Sequence, residues 1–421
     1  MFLDSHHRWL ACFTALCLLV TCAQASATTD PSISTQAQSL PAAPDFTAWR
    51  SQLRVDALSK GISESTFDQA LADFQPISRV IELDQRQPEF VDTFWNYLDR
   101  RIDKRRMAQA HERLRVQKRL LQNIQNQYGV PATLLVSFWA METNFGASTG
   151  SFSVPAALAT LAYNNRRSGF FRTELLNALS ILEQEHIAVT DMKGSWAGAM
   201  GQMQFMPSTF LHYAVDGDGD GRKDIWRSLP DAFHSAANYL RQIGWRTDET
   251  WGRAVMLPAD FDCDEARLEI KKPLKEWARL GVRQADGKPL RKSTLSGAIV
   301  LPQGHDGPAF LVYRNFDVIM QWNRSINYAL AIGHLADRLT GGEALKLGRD
   351  ADNRRLSRDQ LMEIQHLLGN LGFDPGDIDG VPGTKTRLAI RAYQKAAGLP
   401  PDGHASAGLL EYMLKATPSG V

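Results

Sequence analysis

The chain has 421 residues, 44% of them hydrophobic, and its 47 basic and 46 acidic side chains leave a formal charge of +1. That length holds two or three domains, and the even charge balance, with neither a basic tail nor a zinc-type Cys/His cluster, argues against nucleic acid as a partner. Four cysteines in so long a chain do not make a disulfide framework, so a hydrophobic core has to hold the fold.

Residues 1–25 read as a secretory signal, with Arg8 ahead of the apolar run Trp9 to Val20 and Ala23-Gln-Ala25 as a small-residue cleavage site. A periplasmic destination follows. Leu19-Val-Thr-Cys22 offers a second reading, a lipoprotein signal giving lipid anchorage at Cys22, although Thr21 departs from the small residue usual before that cysteine. After cleavage at Ala25 only Cys263 remains, and no intramolecular disulfide can form. Residues 26–44, rich in Ser, Thr, Gln, Ala and Pro, read as a flexible linker. Phe46, Trp49, Leu53 and Leu58, then Ser63 as a cap before Phe67, Ala70 and Leu71, predict two short helices. Phe90 to Arg101, which contains Tyr97, and the Arg/Gln-rich Met107 to Gln127 predict two more, the second with a solvated charged face.

The next stretch, Val136-Ser-Phe-Trp-Ala-Met-Glu-Thr-Asn-Phe-Gly146, places one carboxylate in an apolar helix. Pro131 suits its first position and Gly146 its stop. Glu142 is the only charge between Arg119 and Arg166. Desolvation by Trp139, Ala140, Met141 and Phe145 would favour its protonated form, which suits a general acid. Helical runs follow at Phe152 to Ala162 and Glu174 to Glu185. Ser195-Trp-Ala-Gly-Ala-Met-Gly-Gln-Met-Gln-Phe-Met-Pro207 is different in kind, because its glycines weaken a helix and its glutamines need partners if buried.

Taken with Glu142-Thr-Asn-Phe-Gly146, this run closely resembles the lytic murein transglycosylases of the MltB type, over a span from about Phe46 to about Leu339. The resemblance implies a lysozyme-like helical catalytic core. It implies Glu142 as the catalytic residue, with Ser195 and Gln204 holding the substrate near the reacting ring.

Asp216-Gly-Asp-Gly-Asp-Gly-Arg-Lys-Asp224 matches the first half of an EF-hand loop, with Asp216, Asp218 and Asp220 as alternate oxygen ligands and Arg222 contributing its backbone carbonyl. Position 12 is Arg227 instead of Glu; the family closes a similar loop with a later carboxylate, which implies Asp231 as the last ligand. Three clustered carboxylates repel one another without a cation, and a structural Ca2+ is the expected occupant. No cofactor is expected for the chemistry itself.

Between Trp251 and Tyr313, the runs Ala254 to Leu257, Leu268 to Ile270, Gly297 to Leu301 and Ala309 to Tyr313 predict a small antiparallel sheet inserted in the helical body. Beyond it, Trp322, Asn323 and Tyr328 match family positions lining the sugar cleft; flat aromatic faces suit sugar rings and amides suit hydroxyls. After a charged linker, Leu361 to Gly372, Asp379 to Gln394 and Gly398 to Gly403, with paired Asp-Gly turns, resemble the type 1 peptidoglycan-binding domain.

The expected architecture is mainly α (α+β), with the catalytic region at 45–345, a linker at 346–356 and a three-helix domain at 357–421. The resemblance implies cleavage of the β-1,4 bond between N-acetylmuramic acid and N-acetylglucosamine, with a 1,6-anhydromuramyl end as product. That makes the chain a carbon–oxygen lyase acting on peptidoglycan glycan strands, as a monomer. Two alternatives stay open at this point: a hydrolytic muramidase, using Glu174, Glu183, Glu185 or Asp191 to activate water, and a noncatalytic wall-binding scaffold.

Overall fold

The computed structural model describes residues 45–85, 92–164 and 167–416. The expected signal sequence at 1–25, Cys22 and the expected linker at 26–44 lie outside them. Helices α1 (Phe46–Ser59), α2 (Glu64–Leu71), α3 (Ser78–Gln85), α4 (Phe94–Arg101), α5 (Lys104–Val116), α6 (Lys118–Tyr128) and α7 (Ala132–Thr143) come first. As expected, Ser63 caps α2, its hydroxyl accepting from the Thr66 amide. The Arg/Gln-rich run, expected as one helix, is two; Gln117 closes α5 and opens α6.

The centre of the body is α7. Every residue from Leu134 to Met141 is buried, so the helix is apolar all round instead of amphipathic. It packs against α5, α6, α11 (Leu229–Gln242) and α14 (Ile326–Leu339). Pro131 is its N-cap, one residue earlier than expected, and the helix stops at Asn144 instead of Gly146. Asn144, Phe145 and Gly146 are all left-handed, with φ of 50°, 61° and 82°. Asparagine tolerates that conformation, so it can end a helix where a sequence reading looks for glycine.

After β1 (Phe152–Ser153), α8 (Val154–Asn164) and α9 (Ser168–Glu183) form a packed pair, and β2 (Lys193–Gly194) returns to pair antiparallel with β1. The body continues with α10 (Pro207–Tyr213) and then α11, which Ser228 caps. The inserted sheet is present. Its strands are β3 (Gly252–Met256), β4 (Lys272–Pro273), β5 (Arg283–Gln284), β6 (Ser296–Val300) and β7 (Ala309–Val312), antiparallel in the order β4-β6-β7-β3-β5, with α12 (Leu274–Arg279) between β4 and β5. One expected strand is wrong. Leu268 to Ile270 is a turn, and the edge pairing falls to Lys272 and Pro273, where a proline lacking its N–H is tolerated.

The sheet divides two cores. Ala298, Val300, Phe310 and Val312 join the main helical core, while Ile299, Leu311 and Tyr313 join a smaller one around Trp277. This alternation is what the two-residue strand period dictates. The chain then returns to the main core through α13 (Arg314–Trp322) and α14.

Helices α15 (Arg358–Asn370), α16 (Thr384–Ala396) and α17 (Ala407–Ala416) enclose a core of their own around Ile364, Leu368, Ile390 and Met413. The paired Asp-Gly turns explain its doubled pattern. Gln365 of α15 accepts from the Gly380 amide at 2.8 Å, and Gln394 of α16 accepts from the Gly403 amide at 2.9 Å. Each buried glutamine thus fixes the turn that follows it.

Candidate active site

Glu142 occupies the last turn of α7 and is half-buried. Trp322, at the end of α13, donates from Nε1 to Glu142 Oε1 at 3.0 Å, and the Tyr328 hydroxyl, in the first turn of α14, donates to the same oxygen. Sequence reasoning placed these two residues along the cleft; the structure brings them onto the carboxylate itself. Trp322 packs against Phe138 (4.4 Å between ring centroids) and Tyr239 (5.2 Å) in tilted contacts and against Phe205 (5.5 Å) edge-on. Tyr328 is 4% exposed. Burial, and then the Glu142 carboxylate, push its phenol well above the ordinary value, so it remains a donor. Two neutral donors thus converge on one oxygen of the Glu142 carboxyl. Asn323 follows Trp322 as the C-cap of α13. Tyr97 lies under the Arg101 guanidinium, 5.3 Å from it, and both residues act electrostatically on Tyr328.

The residue that sequence reasoning missed is Gln202. Its Oε1 accepts from Trp139 Nε1 at 2.8 Å, its Nε2 donates to the Trp226 carbonyl at 2.9 Å, and its own carbonyl accepts from Thr143 Oγ1 at 2.8 Å. One residue therefore ties the end of α7 to the loop at 224–226. Gly146 permits this approach, since a Cβ there would stand 2.3 Å from Gln202 Oε1. The need for amide partners was legible in the 195–207 run, but nothing in it distinguished Gln202 from Gln204. Gln204, left-handed at φ 52°, turns its Nε2 to the carbonyls of Thr149 (3.1 Å) and Gly201 (3.0 Å). Ser195 closes the same loop, its hydroxyl accepting from the Ala199 amide at 3.0 Å. Both expected substrate-holding residues thus also shape the loop that carries them.

In the acidic loop, Asp216, Asp218 and Asp231 each bring a carboxylate oxygen within 4.8 Å of the others. The structure does not bring Asp220 into that group; its carboxylate accepts from the Arg222 amide at 2.8 Å. Asp231 is buried and receives the Gly217 and Asp224 amides at 2.7 and 2.6 Å. Burial raises its carboxyl, those amides oppose the shift, and Asp218 adds to it. Asp216 is held below the usual carboxylate range, chiefly by the Gly221 amide.

The Transglycosylase SLT domain family matches residues 45–337 and a peptidoglycan binding domain family matches 357–413. SltB3 from Pseudomonas aeruginosa, solved in complex with NAG-NAM-pentapeptide, is 45% identical, with a TM-score of 0.84 over 88% of this chain and 100% of that one. The chain belongs to the lytic transglycosylase family. Membrane-bound lytic murein transglycosylase B of Escherichia coli (strain K12) is 34% identical over 228 residues, covering 53% of this chain and 59% of that protein's length. The Escherichia coli lytic transglycosylase Slt35, solved in complex with calcium, is 26% identical, with a TM-score of 0.61 over 69% of this chain and 92% of that one.

In this transglycosylase the carboxy-terminal helices do not hang from a tether. Arg391 of α16 donates to the carbonyls of Cys263 (2.8 Å) and Ala266 (2.9 Å), and Lys395 pairs with Asp264. Asp402 accepts from the His305 amide at 2.9 Å and faces His305 Nδ1 at 3.1 Å. Burial raises the Asp402 carboxyl, but His305, Gln394 and the His404 amide outweigh that and hold it at about 2. The connecting segment is pinned as well. Arg349 forks onto Asp99 at 2.7 and 2.8 Å and lies 3.9 Å over the Trp95 ring. Cys263, whose carbonyl receives Arg391, is buried, and burial first of all pushes its thiol up to about 11, far from reactive thiolate. Among the described residues no helix is long and apolar enough to cross a membrane.

Proposed function

We propose that the chain cleaves the β-1,4 bond between N-acetylmuramic acid and N-acetylglucosamine and leaves a 1,6-anhydromuramyl end. The observation that carries this reading is the setting of Glu142, held by two neutral donors while the carboxylates that could have activated water are engaged or placed elsewhere. Glu174 accepts from the Ser208 amide and hydroxyl, Glu183 from Ser63, and Asp191 pairs with Arg227. Glu185 is exposed in the turn after α9. A single carboxyl can serve both steps, protonating the leaving oxygen and then, as carboxylate, taking the proton of the muramyl C6 hydroxyl as that oxygen closes on C1. The substrate's own acetamido group assists, in place of a second carboxylate. The SltB3 complex with NAG-anhNAM-pentapeptide supports the same product class. Mass spectrometry of material released from purified sacculi tests the reading: the anhydro product is one water lighter than the hydrolytic one, and hydrated reducing ends would refute it.

The residues at 357–421 would act on the same polymer as a targeting unit, and the family relationship supports work in the cell envelope. Asp216, Asp218 and Asp231 would hold Ca2+. An all-carboxylate cluster suits a hard cation, and the calcium complex of Slt35 supports the assignment. The ion would brace the loop that carries Ile225 and Trp226, to which Gln202 is bonded, and would take no part in bond cleavage.

A further inference from the structure

Residues 100–119 hold nine cations and two acids, in a chain whose balance is +1, so the remainder of the chain is net acidic. The two acids are already engaged: Asp103 caps α5 by accepting from the Arg106 amide, and Glu112 pairs with Arg115. Lys104, Arg105, Lys118 and Arg119 are exposed and meet no acid among the described residues. Their positions are unfavourable for folding. Lys104 and Arg105 stand in the first turn of α5, and Lys118 and Arg119 in the first turn of α6, where the helix dipole disfavours positive charge. Only Ala110 of α5 is buried, so the packing of the helix does not account for them either.

The strip is continuous with the catalytic elements. It starts beside Arg101, which covers Tyr97 and acts on Tyr328, and α5 then runs for 13 residues, about 20 Å. Near its end Arg113 lies 5.6 Å over the Trp139 ring, three residues before Glu142 on α7.

We propose that the solvent side of α5 and the start of α6 form an electrostatic docking surface for the carboxylate-bearing peptides of the wall polymer. This rests on the proposed function, because the glycan itself is neutral and the peptides carry the negative charge. Cations at the edge of a cleft raise the local concentration of an anionic polymer and speed its capture without entering the reaction. Among the described residues no hydrogen bond or ion pair joins Lys104, Arg105, Lys118 or Arg119 to the helices at 357–416.

The test uses the full chain carrying Glu142→Gln, so that the polymer stays intact, with and without Lys104→Glu, Arg105→Glu, Lys118→Glu and Arg119→Glu together. Sedimentation with intact sacculi, and with insoluble chitin as an uncharged β-1,4-linked N-acetylglucosamine polymer without peptides, reads binding at low and at high salt, with anionic phospholipid vesicles as a second anionic surface. The charge reversal should weaken binding to intact sacculi about tenfold or more at low salt, with the difference closing at high salt and absent on chitin. The corresponding Gln variants should fall between. Equal binding to intact sacculi, an equal loss on both polymers, or a loss confined to anionic phospholipid vesicles would each overturn the proposal. If the wild-type chain releases no anhydro product from intact sacculi, the proposed function fails, while the sedimentation result still judges the docking surface by itself.

Discussion

Replacing Tyr328 by Phe removes one hydroxyl and leaves the ring in its buried place beside Phe138. The hydroxyl donates to Glu142 Oε1, the oxygen that also receives Trp322 Nε1. When Glu142 gives up its proton it becomes an anion, and both hydrogen bonds strengthen. A hydrogen bond to a charged group is worth roughly 1.5–3 kcal/mol, so full expression in the transition state predicts a fall in kcat of about 10- to 150-fold. The assay is turnover of a defined muroglycan, with the melting temperature measured in parallel. KM should change little, because the hydroxyl is committed to the enzyme's own carboxylate. Trp322→Phe tests the same oxygen from the other side. The double variant should show a coupling of about 0.5 kcal/mol or more, since the two donors share one acceptor. A kcat within about twofold of wild type, or a loss confined to KM, would refute the assignment of Tyr328 as a positioning residue.

Glu142→Gln should keep the melting temperature and lower kcat by at least about a hundredfold to ten-thousandfold, because an amide cannot donate the proton; activity within about tenfold of wild type would place the acid elsewhere. Calcium should raise the melting temperature, by about 2.7 kcal/mol of stability at a hundredfold excess over its Kd, and a chelator should reverse it. Asp218→Asn should blunt that response more than Asp220→Ala, since only Asp218 faces the other carboxylates; the reverse order would move the site. His305 is raised by its bond to Asp402, so its contribution to docking is complete below about pH 6.5 and is lost as pH rises through the elevated folded value. Limited proteolysis between the body and the last three helices should therefore speed up above neutrality, and His305→Gln should remove that pH dependence. Deleting residues 357–421 should lower the melting temperature as well as action on sacculi, because Cys263 and Ala266 lose Arg391; an unchanged melting temperature would mean that the contact is incidental.

Much of this arrangement was legible in the residues. The lone carboxylate in an apolar run and the aromatic residues at 322 and 328 were singled out and do meet, while of the alternating aspartates at 216–220 only Asp216 and Asp218 gather with Asp231. Burial of α7 on every side follows from its lack of any other charge between Arg119 and Arg166. What stayed hidden depends on pairings distant in sequence. That Trp322 and Tyr328 bond Glu142 is a contact across some 180 residues, which neither periodicity nor spacing encodes. The strand at 272–273 was missed because its register is set by β6, whereas Leu268 to Ile270 has strand-like residues and no partner to pair with. Docking of the last three helices was equally invisible, since a surface arginine and a surface aspartate look the same whether they meet solvent or a neighbouring carbonyl.

The engagement of Arg391 with backbone carbonyls makes the two parts of the chain poor candidates for exchange. A homologous three-helix unit grafted after residue 356 would bring its own side chain to position 391, and the Cys263 and Ala266 carbonyls would then lack their donor. Gly304 narrows the choice further, because a Cβ there would come within 2.8 Å of Asp402, so the body accepts an acid at that position only while its own loop stays bare. Recombination between relatives should therefore succeed at a crossover that carries residues 263–267 and 302–306 along with the carboxy-terminal helices, and fail at the linker that sequence alone would suggest.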